Sequence, residues 1–243
     1  MIRFILICIF LLLFFIISIP LYLVVLIVGL FSKEARAKAS QAIACLGFRI
    51  ILVISGTRVV ISGLENVPKD TPVLYVSNHR SYYDIVTCYP LVKNNTAFLS
   101  KKEMLKFPFV NLWMILMNCQ FLDRDDLRKG MKTIAKCTDL LKGNTSVFVF
   151  PEGTRGLGGE MKPFKEGTMR IAVKSGRPIV PVAVYNTENI FETHIPKVQK
   201  ATVTVTFGKP IDPTGLSPAE KKHLGARTPV SYTHLTLPTK LEV

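Results

Sequence analysis

The run Phe4–Phe31, "FILICIFLLLFFIISIPLYLVVLIVGLF", carries no charged side chain and limits what this chain can fold into more than any other segment. A bilayer core is crossed by roughly 20 apolar residues in a helix, so the run is long enough to enter a membrane. It exceeds the apolar core of a secretory signal peptide, about 7–15 residues, which argues for a retained segment. Pro20 sits near its middle, where a missing backbone donor and a ring clash predict a kink or a turn. Two arrangements fit: one tilted span, or two short helices that dip into one leaflet and return. Lys33, Arg36 and Lys38 after the run outnumber Arg3 before it, which predicts that the rest of the chain stays on the cytoplasmic side.

The basic excess extends along the whole sequence, 31 Lys and Arg against 17 Asp and Glu, for a formal net charge of +14. Such an excess suits nucleic acid, an anionic membrane surface or an anionic small substrate. Beside a membrane segment, lipid headgroups are the simplest partner. There is no zinc finger, RNA-binding signature or long Arg-rich arm, so nucleic acid is not expected as a partner. Cys8, Cys45, Cys88, Cys119 and Cys137 lie far apart with no C-x-x-C pair, the usage of reduced, buried thiols.

Residues 1–32 read as a membrane-anchoring segment and 33–55 as an amphipathic connecting helix, with Ala42, Ile43, Leu46, Ile50 and Ile54 at helical spacing. From Thr57 the pattern changes. "RVVISG", "PVLYVSN", "TAFLS", "CQFLD", "SVFVFP", "PIVPVAVYN" and "ATVTVTFG" read as strands, with helices at Tyr82–Leu91, Phe109–Met117, Asp125–Leu141 and Glu166–Ser175 between them. Alternation of this kind predicts one α/β domain over residues 56–225, a mixed central sheet flanked by helices. "LSPAEKKHLG" opens a further helix that stops early, and "ARTPVSYTHLTLPTKLEV" has no helical period. The tail over 226–243 resembles read-through of a sequencing-adapter fragment or a disordered end, so Pro229–Val243, with His234, is set aside.

Two loops carry the chemistry. His79 follows the strand "VLYVSN", at the strand edge where α/β folds place their sites, and Asp84 lies five residues on. A carboxylate bound to one ring nitrogen would fix the tautomer and leave the other nitrogen as a base. A structural or capping histidine fits the spacing equally well, and a metal site lacks further ligands in register. Ser81 is close by, but the chain has no G-x-S-x-G elbow. In "VFVFPEGTRG", Gly153 permits a tight turn, Thr154 can cap the segment that follows, and Arg155 presents a planar fork suited to phosphate. Glu152 can anchor that loop or bind a polyol hydroxyl, and an ordinary polar turn fits these residues as well.

Together the loops resemble a known family. "NHRSYYD" matches the N-H-x-x-x-x-D motif and "FPEGTR" the F-P-E-G-T-R motif of the 1-acylglycerol-3-phosphate acyltransferases, in the expected order. Lys101, Lys102, Leu105, Pro108 and Arg124 resemble that family's block between the two motifs, and "IVPVAV" with Pro181 its final apolar block. The resemblance spans Gly56–Pro213. Asn111 departs from it, standing where the family usually has Gly, which leaves the turn to an Asn tolerant of left-handed backbone.

The resemblance implies transfer of a fatty acyl group from acyl-CoA or acyl carrier protein to the sn-2 hydroxyl of 1-acylglycerol 3-phosphate, giving phosphatidate. It implies no cofactor besides the acyl donor. His79 would be the general base and Asp84 its orienting partner, with Arg155, Lys101 and Arg124 holding phosphate. Glu152, Gly153 and Thr154 would shape that pocket, and Asn78 would help hold the histidine loop. Transfer to glycerol 3-phosphate, another lysophospholipid or a lyso-aminolipid is the alternative, followed by a catalytically silent membrane-binding module. Trp113, Met104, Met114 and Met117, near helical spacing, are expected in the core or against an acyl chain.

Overall fold

The structure, a computed structural model, describes residues 1–92, 94–156, 161–226 and 228. The tail Pro229–Val243 lies outside them. The apolar run forms one helix, α1 (Ile2–Phe31), which continues through Pro20. Of the two arrangements open at Pro20 this is the uninterrupted one, and the chain turns at Ser32, the cap of a second helix, α2 (Lys33–Ser55), where its side chain accepts from the Ala35 N–H at 3.1 Å. Both helices are long and apolar enough to cross a membrane.

The seven expected strands all form: β1 (Arg58–Ser62), β2 (Leu74–Ser77), β3 (Thr96–Lys101), β4 (Gln120–Leu122), β5 (Ser146–Val149), β6 (Ile179–Tyr185) and β7 (Thr202–Phe207). Their order is β1-β7-β6-β2-β5-β3-β4, with β6 antiparallel to β7 and every other pair parallel. Helices α3 (Tyr83–Cys88), α4 (Val110–Leu116), α5 (Leu127–Lys142), α6 (Glu166–Ser175) and the short α7 (Pro218–Lys222) complete the fold. The expectation of Asp125 and Asp126 at the head of α5 is met by Asp126, whose carboxylate caps the Lys129 N–H at 3.0 Å.

Strand periodicity sorts the core. Leu74 and Val76 of β2, with Val147 and Val149 of β5, point to the face covered by α5 and α6. Tyr75 and Phe148 alternate with them and point to the opposite face, where α2, Tyr89 and Trp113 pack. Both faces of the central strands are therefore buried, which is why they read as continuous apolar runs. The same alternation carries Phe150, just beyond β5, onto the Tyr75 side, where it meets the ring of His79.

Helix α1 is docked rather than free. The Tyr22 hydroxyl donates to the Phe109 carbonyl at 2.8 Å, the Trp113 indole donates to Ser18 Oγ at 2.9 Å, and Phe4 stacks on Phe191 with centroids 5.8 Å apart. At 1.5 Å per residue, Phe4 and Tyr22 are about 27 Å apart along the helix, so α1 follows the domain for most of its length.

Of the residues at helical spacing on α2, Ile43, Ile50 and Ile54 are half-buried, with Ile43 and Ile54 against the core, and Ala42 and Leu46 are exposed. Ala37, Gln41, Ala44, Cys45, Gly47 and Ile51 are buried, whereas Ala42, Leu46 and Val53 face out. Small residues let the helix approach α1 closely, with Phe14 lying against Gly47. Leu46 and Val53 are the large apolar side chains of α2 left exposed, and Gln41 ties α2 to the sheet by accepting from the Thr96 N–H at 2.9 Å.

Candidate active site

Five parallel strands, β6, β2, β5, β3 and β4, end at one edge of the sheet, and the candidate site residues lie at that edge, on the strand ends, the loops leaving them and the first turn of α3. From β2 come Asn78 and His79, and from β5 Glu152–Arg155. Lys101 closes β3, and Arg124 follows β4.

The imidazole of His79 has its Nδ1 2.8 Å from Asp84 Oδ2. Asp84 is fully buried. Its Oδ2 also accepts from the N–H groups of Arg80 (2.7 Å) and Ser81 (2.9 Å), and Oδ1 from the Thr187 hydroxyl (2.5 Å). These donors satisfy a charge that burial would otherwise penalise. The ring stacks on Phe150 with centroids 4.2 Å apart, and the side chain keeps 18% of its surface exposed. Nε2 is therefore the nitrogen left for chemistry on a held, partly open imidazole.

The loop after β5 is laced to the histidine loop. Glu152, buried, accepts the His79 N–H through Oε1 at 2.7 Å and the Lys162 N–H through Oε2 at 3.0 Å. Of the two roles open to Glu152, anchoring is the one these bonds perform. The Gly156 N–H returns to the His79 carbonyl at 2.9 Å. Asn78 is likewise a brace. Its amide donates to the Val184 carbonyl and accepts the Val184 N–H, both at 2.8 Å, which extends β6 across the loop.

Cations gather around Gly153, which adopts a left-handed φ of 81°. Arg124 Nη1 donates to its carbonyl at 2.5 Å, and Lys165 Nζ lies where a Cβ at this position would meet it. Burial draws the Arg124 guanidinium below its usual pKa, partly offset by Glu103. Lys102 pairs with Asp123 (2.8 Å) and Asp125 (2.6 Å), contacts that hold its ammonium above the usual lysine range and neutralise the carboxylates flanking Arg124. Lys101 is exposed at the end of β3, with no ion pair among the described residues. Thr154, exposed, accepts from Lys162 Nζ at 2.9 Å.

Arg155 lies over the Tyr82 ring, 3.6 Å from its centroid, and its Nη1 is 3.5 Å from Glu192. Glu192, its side chain 3% exposed, also accepts from Ser81 Oγ and the Tyr82 N–H, each at 2.7 Å. Ser81 Oγ is thus committed to Glu192 rather than to the histidine. Cys88, on α3 beside Asp84, is held protonated by burial and then by the Asp84 charge. Burial also pushes Cys119 and Cys137 up to about 12. The geometry offers a held imidazole with cations beside it, and no activated Ser or Cys nucleophile among the described residues.

Thr187, Glu192 and Lys165 were not singled out in the sequence. Thr187 and Glu192 come from the loops after β6, more than a hundred positions from the Asp84 and Ser81 side chains they bind, and the sheet order brings them there. The left-handed turn expected at Asn111 belongs to Phe109 (φ 63°) instead. Asn111 lies within α4 and donates its amide to the Leu105 carbonyl at 2.9 Å, while Phe109 is held by Tyr22 and by stacking on Phe15. Trp113 and Met117 are buried, as the core reading expects, and Met104 and Met114 half-buried.

This sheet edge thus carries a paired imidazole beside a basic loop. The acyltransferase family model matches residues 58–185, and the chain belongs to that family. It is 33% identical over 181 residues to a 1-acyl-sn-glycerol-3-phosphate acyltransferase of Borreliella burgdorferi, covering 74% of this chain and 72% of the relative. A chloroplastic 1-acyl-sn-glycerol-3-phosphate acyltransferase of Brassica napus, BAT2, is 40% identical over 62% of this chain, which spans 44% of that relative's length. The crystal structure of the 1-acyl-sn-glycerophosphate acyltransferase PlsC from Thermotoga maritima superposes with a TM-score of 0.72 at 26% identity, covering 94% of this chain and 96% of that one.

Proposed function

We propose that this protein is a membrane-associated enzyme that transfers a fatty acyl group from an acyl thioester, carried on CoA or acyl carrier protein, to the sn-2 hydroxyl of 1-acylglycerol 3-phosphate, giving phosphatidate. The observation that carries the reading is the His79–Asp84 pair standing beside the basic loop of Arg155, with relatives that bear this activity in their names.

In this reading His79 Nε2 takes the proton of the acceptor hydroxyl as its oxygen attacks the thioester carbonyl. The new C–O bond forms, the C–S bond breaks, and the departing thiolate takes the proton back from the imidazolium. Asp84 keeps Nδ1 protonated and stabilises the imidazolium between the two transfers. Arg124, Arg155, Lys165 and Lys101 meet the acceptor phosphate, Arg155 and Arg124 by planar donor forks. Holding acceptor and donor together supplies much of the remaining acceleration.

The substrate and product are bilayer lipids, and the α1–α2 hairpin gives the site its place. Because α1 follows the domain from Phe4 to Tyr22, its outward apolar face lies in one leaflet, with the domain at the cytoplasmic surface. Purified protein in detergent, given acyl-CoA or acyl carrier protein thioesters and a panel of phosphorylated acceptors, tests the reading. Phosphatidate from lysophosphatidate is the expected product. Preference for glycerol 3-phosphate, another lysophospholipid or a lyso-aminolipid would replace that acceptor, and no turnover with any would leave a membrane-binding module.

A further inference from the structure

We propose that Thr187 is the third member of the His79–Asp84 network, a positioning residue that fixes the carboxylate for proton transfer. The inference rests on the reading of His79 as the base and deepens it. Thr187 lies two residues beyond β6 and 103 positions from Asp84, and its hydroxyl donates to Asp84 Oδ1 at 2.5 Å with both residues fully buried. The other oxygen, Oδ2, is already shared among His79 Nδ1, the Arg80 N–H and the Ser81 N–H. Those contacts resist rotation about the Cβ–Cγ bond at only one of the two oxygens. The Thr187 hydroxyl at Oδ1 fixes that rotation and keeps Oδ2 in line with the imidazole.

The Thr187 backbone is itself anchored. Its carbonyl accepts the Ile190 N–H at 3.1 Å, and the strand before it is braced to the histidine loop by Asn78. The histidine loop is therefore registered against β6 twice, at its entry through Asn78 and at Asp84 through Thr187.

The charged and titratable neighbours come from three elements. On its own loop and helix stand Arg80 and Cys88. Glu188, paired with Arg80 at 3.5 Å, and Glu192 come from the loops after β6. Glu152, on the His79 N–H, and Arg155, paired with Glu192, come from the loop after β5. Substituting Thr187 alters none of these charges. A carboxylate that has lost a donor attracts the Nδ1 proton more strongly, which favours the imidazolium and withdraws the neutral base.

The test uses the full chain in detergent, measuring kcat and KM for lysophosphatidate with an acyl-CoA donor across pH, with His79→Ala in the same assay. Thr187→Val, close in shape, is expected to lower kcat about 10-fold at neutral pH, to leave KM within about 2-fold, and to displace the acid limb of the profile to higher pH. Thr187→Ser is expected to restore both kcat and the limb. Thr187→Ala removes the same hydroxyl without a second methyl, and serves where the valine variant melts early. A valine or alanine profile that superimposes on the wild type overturns the inference alone. Turnover that survives His79→Ala overturns the reading beneath it.

Discussion

The backbone N–H of His79 donates to Glu152 Oε1 at 2.7 Å across 73 positions, so the loop after β5 holds the residue that carries the imidazole. Glu152 spends its other oxygen on the Lys162 N–H. Glu152→Gln keeps one acceptor oxygen and turns an amide N–H₂ toward a backbone donor. It is expected to lower kcat/KM about 10-fold, and Glu152→Ala further, as a buried donor left unpaired displaces the loop. Steady-state kinetics on the two variants check the order.

Gly153 makes a second prediction from backbone shape. At φ 81° an L side chain is strained, and an added Cβ would lie 3.1 Å from Lys165 Nζ and 3.2 Å from Arg124 Nη2. Gly153→Ala is expected to move both cations and raise KM for lysophosphatidate about 10-fold, with a smaller change in kcat. An unchanged KM would place the acceptor phosphate elsewhere.

For Asn78 the expected loss is stability as well as rate. Asn78→Ala removes both 2.8 Å bonds to Val184 and leaves that buried backbone pair without its partner. Unsatisfied buried groups cost about 1–3 kcal/mol, so urea unfolding is expected to show a loss of about 2–4 kcal/mol.

Membrane attachment is tested on the outer face of the hairpin. Leu12 (62% exposed), Leu23 (63%) and Val53 (80%) make no core. Replacing all three by Glu is expected to abolish flotation with anionic vesicles while turnover of detergent-dispersed lysophosphatidate persists, because the site residues lie on other elements.

Much of this fold can be read from the residues because the local signals agree with the packing. β2 and β5 are continuous apolar runs since both faces are buried, and Asp126 and Gly143 mark the ends of α5. His79 and Asp84 stand out because their pairing is local, five residues apart on one turn. Thr187, Glu192 and Lys165 have no such signal. Each is an ordinary polar residue in its own segment; the partners of Thr187 and Glu192 are set by sheet order, and Lys165 meets Gly153 through the fold of the one loop between β5 and α6. At Pro20 the residues leave a continuous helix and a broken one both open, and packing selects the continuous one. α1 packs against Trp113 and Phe109 along its length, and that tertiary contact outweighs one missing backbone donor. The stripe read on α2 has the right period, but it straddles the buried and exposed faces, because small residues such as Ala37, Ala44 and Gly47 also pack inward and give no hydropathy signal.

The most direct measurement is phosphatidate formation from lysophosphatidate and an acyl thioester by the purified wild type and by His79→Ala, with folding of both confirmed by thermal melting. The expected result is product from the wild type and a loss of about 10²–10⁴-fold in kcat for His79→Ala. Product from His79→Ala at the wild-type rate would contradict His79 as the base, and a folded wild type that acylates no lysophosphatidate would contradict the proposed reaction.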